Sequence, residues 1–384
     1  MKLLVLAPSF PDRQNRFYGG IFVKSQLEAL SKYVEEINVV TPIPISFGKL
    51  YEDKLCKNYS FDNVNVYFPR FLHLPLNYFR RRRGEREARV VYNLIEEKGI
   101  EFDLIHAHFT WPCGYVGVKL AKKFDVPSIV TIHEDRDWFL REYHSQNEYI
   151  YFTWRHANAL IRVNRIDVPK LKEFNKNVIS IPNGYDPELF YPVNKEMARK
   201  ELGIPYSDKV VFSFSNLVER KGYQYLIEAM KKVSEKRGDV VCYIGGTGPY
   251  KKKIERKITE LGLKNRVKLI GFVPAHRLSY WISAADIFVL PSLSESFGIV
   301  QIEAMACGVP VVATRNGGSE EIITSEDYGL LCEPANPDDL AKKILIALEK
   351  EWDREKIRKY AERYTWENIA GETLDIYRKL MEGL

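Results

Sequence analysis

Short apolar runs alternate along this chain with longer stretches whose apolar residues recur every three or four positions. Runs at 3–7, 37–41, 64–68, 104–108, 128–133, 159–163 and 178–181 have the length and β-branched content of buried strands. Helical patterns at 21–33, 85–98 and 115–124 lie between several of them. The alternation then restarts. Strand-like runs at 210–214, 240–244, 267–270, 287–290, 309–313 and 330–332 are interleaved with or followed by helical patterns at 223–236, 250–261, 276–284, 299–306 and 337–350. Such alternation predicts parallel, doubly wound sheets, and its restart predicts two Rossmann-like halves of an α/β protein. A stretch rich in Pro, Asn and charge within 186–206 reads as the linker and hinge. A last helix, 366–381, carries an aromatic and aliphatic stripe of Trp366, Ile369, Leu374 and Tyr377.

Composition narrows the class. With 45% hydrophobic and 28% charged residues among 384, the chain is ordinary for a core-forming globular protein, and its length favours two domains. No apolar run approaches a membrane span. The opening MKLLVLAPSF has too short an apolar core and no small-residue cleavage site, so it reads as a first strand rather than a signal peptide. Five cysteines, at 56, 113, 242, 307 and 332, form no CxxC pair. No disulfide framework or zinc site is indicated, each reads as a small buried apolar residue, and a reducing cytoplasm is the expected compartment. The net charge of +6 favours anionic partners without choosing among nucleotide-sugars, anionic lipids and nucleic acid.

The most informative stretch is 286–314, DIFVLPSLSESFGIVQIEAMACGVPVVAT. It reads as strand, tight loop, helix and strand, a βαβ unit with a ligand-sized loop at the carboxyl end of its first strand. Backbone amides from Gly298 to Val300 open the helix and favour a phosphate. Glu295 and Glu303 flank that point. A carboxylate beside a phosphate is repelled, so both read as acceptors for sugar hydroxyls. Phosphate and hydroxyl sites together suggest a nucleotide-sugar.

Glu295-Ser296-Phe297-Gly298-Ile299-Val300-Gln301-Ile302-Glu303, continued as EAMACGVPVVAT, resembles the signature of family 4 of the retaining glycosyltransferases, whose mark is Glu, seven residues, Glu. The strand–loop–helix context that such a motif requires is present. The resemblance covers nearly the whole chain and implies a GT-B fold, two Rossmann-like domains facing a central cleft. It assigns 1–187 to the acceptor side, with the terminal helix 365–384 packed back on it, and 188–364 to the nucleotide-sugar. It implies a hexosyltransferase that moves a sugar from a UDP- or GDP-linked donor to a hydroxyl of a glycan or lipid-linked acceptor. No metal and no other cofactor is expected.

Residue by residue, the resemblance implies that Glu303 accepts from ribose hydroxyls and Glu295 from the transferred sugar. Lys221, in the pair Lys221-Gly222, matches the family's phosphate-binding lysine. The family's Gly-Arg a few residues earlier is replaced by Ser215-Asn216, so one cation is missing at Asn216 and Arg220 is the substitute within reach. Ser296, Phe297, Gly298, Ile299 and Val300 form the turn over the diphosphate. Gly19 and Gly20 form a glycine loop at the start of helix 21–33, on the donor phosphates or the acceptor. Gly246 and Gly248 lie near the base. Their spacing does not match G-x-G-x-x-G, so they are not read as a dinucleotide fingerprint. Gly317-Gly318-Ser319 is a further familiar loop.

His133, with Glu134 beside it, ends a strand at the edge where ligands bind, and the family has a sugar-contacting histidine there. A strand-end histidine of structural purpose is the simpler reading of the residue alone. His106 and His108 share one strand face, where packing or hydrogen bonding is preferred to a metal, because two ligands are too few. Glu134, Asp135 and Asp137 are likewise not assigned to a metal. Arg80, Arg81, Arg82, Arg83, Arg86 and Arg89 crowd beside Leu72, Leu74, Leu76, Tyr78 and Phe79. A solvated basic face comes first, peripheral contact with an anionic membrane or lipid-diphosphate acceptor second, and nucleic acid is set aside. A cytoplasmic protein, peripheral at the inner face of the membrane, is the corresponding location. Three rivals stay open. These are a nucleotide-sugar epimerase on the same fold, a non-catalytic nucleotide-sugar-binding module, and a glycogen-synthase-like polymerase. The last is disfavoured by chain length and by Tyr18 before Gly19-Gly20.

Overall fold

The computed structural model describes residues 1–15, 19–45, 56–72 and 82–383. The chain divides into two compact units, Met1–Gly184 with Trp366–Leu384, and Tyr185–Thr365. The boundaries expected from the sequence, 187/188 and 364/365, are slightly displaced from this division.

The first unit contains strands β1 (Lys2–Leu6), β2 (Glu36–Val40), β3 (Ile43–Ile45), β4 (Tyr59–Phe61), β5 (Val64–Tyr67), β6 (Arg70–Leu72), β7 (Leu104–His108), β8 (Ser128–Ile132), β9 (Ala159–Arg162) and β10 (Val178–Ser180). Eight of them form one sheet in the order β10-β9-β8-β7-β1-β2-β5-β4. All its pairs are parallel except β4 with β5. The periodicity does not predict β4. It is three residues long, too short for an alternation to register, and is returned to β5 by a turn at Asp62, whose φ is 45°. β3 and β6 pair separately.

Successive residues of β1 feed opposite faces, as a pleated strand requires. Leu3 and Val5 pack with Val23 and Leu27 of helix Ile21–Leu30 and with Trp366, Ile369, Leu374 and Tyr377 of helix Trp366–Glu382. Leu4 and Leu6 pack with Val91 and Ile95 of helix Arg83–Lys98 and Val116 and Leu120 of helix Tyr115–Phe124. Fully burying one such aliphatic side chain contributes about 1.5–3 kcal/mol, so the terminal helix is an integral layer of this unit.

The second unit contains β11 (Lys209–Phe214), β12 (Val240–Gly245), β13 (Val267–Gly271), β14 (Ile287–Leu290), β15 (Val311–Thr314) and β16 (Gly329–Cys332), all parallel, in the order β13-β12-β11-β14-β15-β16. Val211, Cys242 and Val289 pack on helices Tyr223–Lys236, Lys251–Glu260 and Pro337–Glu349. On the opposite face Phe212 and Tyr243 pack against Trp281 of helix Ala275–Ala284. Strand order reverses direction between β1 and β7 in the first unit and between β11 and β14 in the second. Loops leaving the carboxyl ends of such strand pairs diverge and leave a crevice.

The stretch read as a hinge is instead structured. Lys195–Leu202 is a helix capped by the Asn194 side chain and closed by Gly203 at φ 65°. Arg199 and Lys195 anchor it to Asp286 at 3.0 and 2.6 Å. Its charge density hides an amphipathic pattern of only eight residues.

Candidate functional site

At the reversal point of the second unit, the loop after β11 carries Arg220 and Lys221 and the loop after β14 carries Glu295. A backbone hydrogen bond from Leu293 N to Arg220 O, 2.7 Å, ties the loops together. Gly222 permits the approach. Its φ is 70°, and a Cβ there would stand 1.9 Å from Pro291 O. Lys221 Nζ ion-pairs and hydrogen-bonds with Glu295 Oε1. Arg220 Nη1 lies 3.7 Å from Glu295 Oε2 and donates to Ser294 O at 3.1 Å. Glu295 is buried. Burial alone would raise its carboxyl, but the Lys221 and Arg220 charges outweigh that and hold it below the usual carboxylate range.

The Glu295–Phe297 segment is clamped from the loop after β15. Glu295 N donates to Asn316 O. The buried Asn316 Oδ1 accepts from Gly318 N and Ser319 N at 3.1 and 2.9 Å. A Cβ on Gly318 would lie 2.6 Å from Phe297 O, which explains the second glycine of Gly317-Gly318. Gly298, at φ 90°, turns the chain into helix Ile299–Ala306. The first amides of that helix, at Ile299 and Val300, have no acceptor within it by helix geometry. Gln301 Nε2 lies 3.3 and 3.4 Å from Phe297 O and Gly298 O. The sequence reading does not single out Gln301 or Asn316. A buried amide on an apolar helix face, and an Asn before Gly-Gly, are the available signals. The Phe297 ring is buried against Tyr364, so the side chain packs inward and the backbone is what the turn offers.

Glu303, one turn after Ile299 on the same helix, is half-buried. Burial pushes its carboxyl up to about 8. Asn216 is exposed. Gly246 and Gly248 solve a packing problem against the Asn216 loop: Cβ atoms there would stand 1.9 Å from Ser215 O and 2.3 Å from Leu217 O. Leu217 N donates to Thr247 O and Tyr250 N to Leu217 O. Both glycines therefore support the loop leading to Lys221.

In the first unit, Gly20 opens helix Ile21–Leu30 at φ 72°, and a Cβ on it would meet Ser9 O at 2.2 Å. Gly19 precedes it in the same turn. His133, at the end of β8, is buried between Phe22 and Phe109, with ring centroids at 4.9 and 5.2 Å. Its Nε2 lies 3.0 Å from His108 Nδ1. His106 bonds Tyr377 Oη through Nδ1 at 2.6 Å and Thr131 Oγ1 through Nε2 at 2.7 Å. Burial pushes His106 and His133 down to about 3, and His108 lower than its ordinary value.

Glu134 follows His133 at the carboxyl end of β8. It is fully buried, and its Oε1 accepts from Thr110 N at 2.7 Å. Asp135 caps helix Arg136–His144. Arg80 and Arg81 lie outside the described residues. Arg82 is exposed, and Arg83 pairs with Glu87 at 2.7 Å. Among the described residues no helix is long and apolar enough to cross a membrane.

Known proteins resemble this chain in sequence and in fold. Residues 194–364 match the profile of "Glycosyl transferases group 1", and 47–189 that of "Glycosyltransferase Family 4". A protein of Methanocaldococcus jannaschii described as an uncharacterized glycosyltransferase is 31% identical over 76% of this chain and 78% of its own length. The structure of sucrose-phosphate synthase from Thermosynechococcus elongatus superposes with a TM-score of 0.81 at 23% identity, covering 100% of both chains. That of Anabaena HepE in complex with UDP-glucose gives 0.72 at 23% identity over 99% and 100%. The two sheets with their paired reversal points define a GT-B protein. The chain belongs to the family 4, group 1 glycosyltransferases.

Proposed function

We propose that this protein transfers a hexose from a UDP- or GDP-linked donor to a hydroxyl of a glycan or lipid-linked acceptor, with retention of configuration. The observation that carries this is the grouping of Lys221, Arg220 and the amide end of helix Ile299–Ala306 around Glu295. Cations and helix amides suit a diphosphate, and a buried ionised carboxylate suits sugar hydroxyls. Support comes from the UDP-glucose complex of HepE, a structural neighbour.

In this reading Glu303 receives the ribose hydroxyls and Glu295 the sugar hydroxyls, and His133 keeps the sugar-contacting role that the resemblance implies. The bond between the anomeric carbon and the diphosphate oxygen breaks as the acceptor oxygen bonds that carbon from the same side. The acceptor's proton passes to the departing phosphate oxygen. Lys221, Arg220 and the amides at Ile299 and Val300 stabilise the charge developing on the diphosphate, which is why the reading needs no metal. A cytoplasmic protein whose Arg82 and Arg83 region meets an anionic membrane completes it. The test is binding and hydrolysis of UDP-, GDP- and ADP-sugars, with Lys221→Ala beside the wild type. Selective binding with slow hydrolysis, weakened by the substitution, is expected; no binding of any nucleotide-sugar sinks the reading.

A second reading, a non-catalytic nucleotide-sugar-binding module, is favoured by Asn216 standing exposed where the family carries an arginine. Donor binding with neither hydrolysis nor transfer across an acceptor panel would select it.

A further inference from the structure

We infer that Glu295 makes this site select the intact nucleotide-sugar over the bare nucleoside diphosphate, because it holds Lys221 until sugar hydroxyls replace that lysine. The inference rests on the proposed donor site and adds to it a selectivity that neither residue type alone would give.

The argument starts from the ion pair. Lys221 Nζ is bonded to Glu295 Oε1, and the side chains are 13% and 7% exposed. Neither charge is well solvated, so each depends on the other. The second cation, Arg220, stands 3.7 Å from Glu295 Oε2, is 46% exposed, and also donates to Ser294 O. Solvent screens it more, and it is a weaker partner for the carboxylate. Lys221 is therefore the group whose departure Glu295 feels most.

A bare diphosphate that draws Lys221 away leaves Glu295 with the more exposed Arg220 as the nearest remaining cation and sets phosphate charge beside a buried carboxylate. Both effects oppose binding. An intact donor draws Lys221 in the same way but brings hydroxyls that donate to Glu295. Hydrogen bonds to a charged acceptor are among the stronger ones, and they fill the place that the lysine leaves. The exchange is close to balanced for the donor and unbalanced for the product. After transfer the sugar is gone, Glu295 recaptures Lys221, and the diphosphate is released. The backbone makes this exchange local. The Leu293 N to Arg220 O bond and the glycine contact at Gly222 keep the two loops in register, so only the lysine side chain has to move.

The test is isothermal titration of wild type and Glu295→Gln with UDP and UDP-glucose, and with GDP and GDP-mannose. Wild type is expected to bind the intact donor more tightly than its nucleoside diphosphate. Glu295→Gln frees Lys221 and removes the repelling charge. It is expected to bind the bare diphosphate roughly tenfold more tightly while gaining nothing for the intact donor, so the preference shrinks or inverts. Unchanged or weaker diphosphate binding by a folded Glu295→Gln overturns the inference. If that variant does not fold, the wild type decides: equal or tighter binding of the bare diphosphate overturns it. Failure of the wild type to bind any of the four ligands is a different result, and it removes the donor site itself.

Discussion

His108 Nδ1 and His133 Nε2 stand 3.0 Å apart with their rings nearly parallel, 18° between planes. One proton lies in that bond, so the other ring nitrogen of His133, the buried Nδ1, takes its character from His108. Burial pushes His106 and His133 from 6.5 down to about 3. Between these values the unfolded chain binds protons that the fold rejects. The stability they contribute is present above about pH 6.5 and is lost as pH falls toward 3. Nitrogen-15 histidine spectra at pH 5.5 should show His133 still neutral; an imidazolium signal there would refute the assignment.

Glu303 shifts in the opposite sense, from 4.5 up to about 8 through burial. Its protonated form is retained by the fold after the unfolded chain has released the proton, so its contribution to stability falls as pH rises from about 4.5 to 8. As an ionised acceptor it suits ribose hydroxyls better than as an acid. Nucleotide affinity in the wild type should rise from pH 7 to pH 9, and calorimetric titration of Glu303→Gln should give a flat profile.

Glycines at similar φ should differ sharply when replaced. At Gly262, whose φ is 69°, a Cβ would meet nothing within 4 Å, whereas at Gly222 it would stand 1.9 Å from Pro291 O. Gly262→Ala should cost about 1–2 kcal/mol, the left-handed penalty alone. Gly222→Ala adds a backbone collision that displaces the Lys221 loop. It should cost about 2–4 kcal/mol and weaken nucleotide binding as well. Urea denaturation and titration of both variants check this; equal costs would refute it.

Lys221 and Arg220 both face Glu295, but the arginine is far more exposed. Lys221→Gln should reduce donor affinity by roughly tenfold to a hundredfold, and Arg220→Gln by less than about tenfold. The Arg220 effect should fade in roughly 0.5 M salt, as an exposed charge is screened. A larger loss at Arg220 would show that it fully replaces the cation absent at Asn216.

Tyr377 links helix Trp366–Glu382 to His106 at 2.6 Å inside the first unit. Tyr377→Phe keeps the ring but leaves a buried imidazole nitrogen without its partner. A loss of about 1–3 kcal/mol is expected in chemical denaturation, and a neutral result would show that the Tyr377 hydroxyl adds nothing to the helix's hold.

Much of the fold is legible from periodicity. Leu104–His108, Ile287–Leu290, Tyr115–Phe124, Tyr223–Lys236 and Ile299–Ala306 have the bounds read from the sequence, because each is a continuous apolar run or a clear helical stripe closed by a turn residue. Several misses share a cause. β4, β3, β6 and helix Lys195–Leu202 are three to eight residues long, too short for a period to declare itself, and are fixed by partners distant in sequence. The candidate site divides in the same way. The spacing of Glu295 and Glu303 and the Lys221-Gly222 pair are visible as types and positions. That Phe297 turns inward, that Glu134 is consumed by Thr110 N, and that Gly246 and Gly248 make room for Ser215 O and Leu217 O are not.

Two alternating sheets, their helices and the chemical types at the loops are written locally in the chain, since side-chain periodicity and turn chemistry act over a few residues. It took the folded arrangement to bring Lys221 to Glu295, to set the face of His133 with His108, and to fix which glycines must remain glycine. Those outcomes depend on backbone approaches and desolvation between segments far apart in the chain, and no local pattern encodes a distance across a fold.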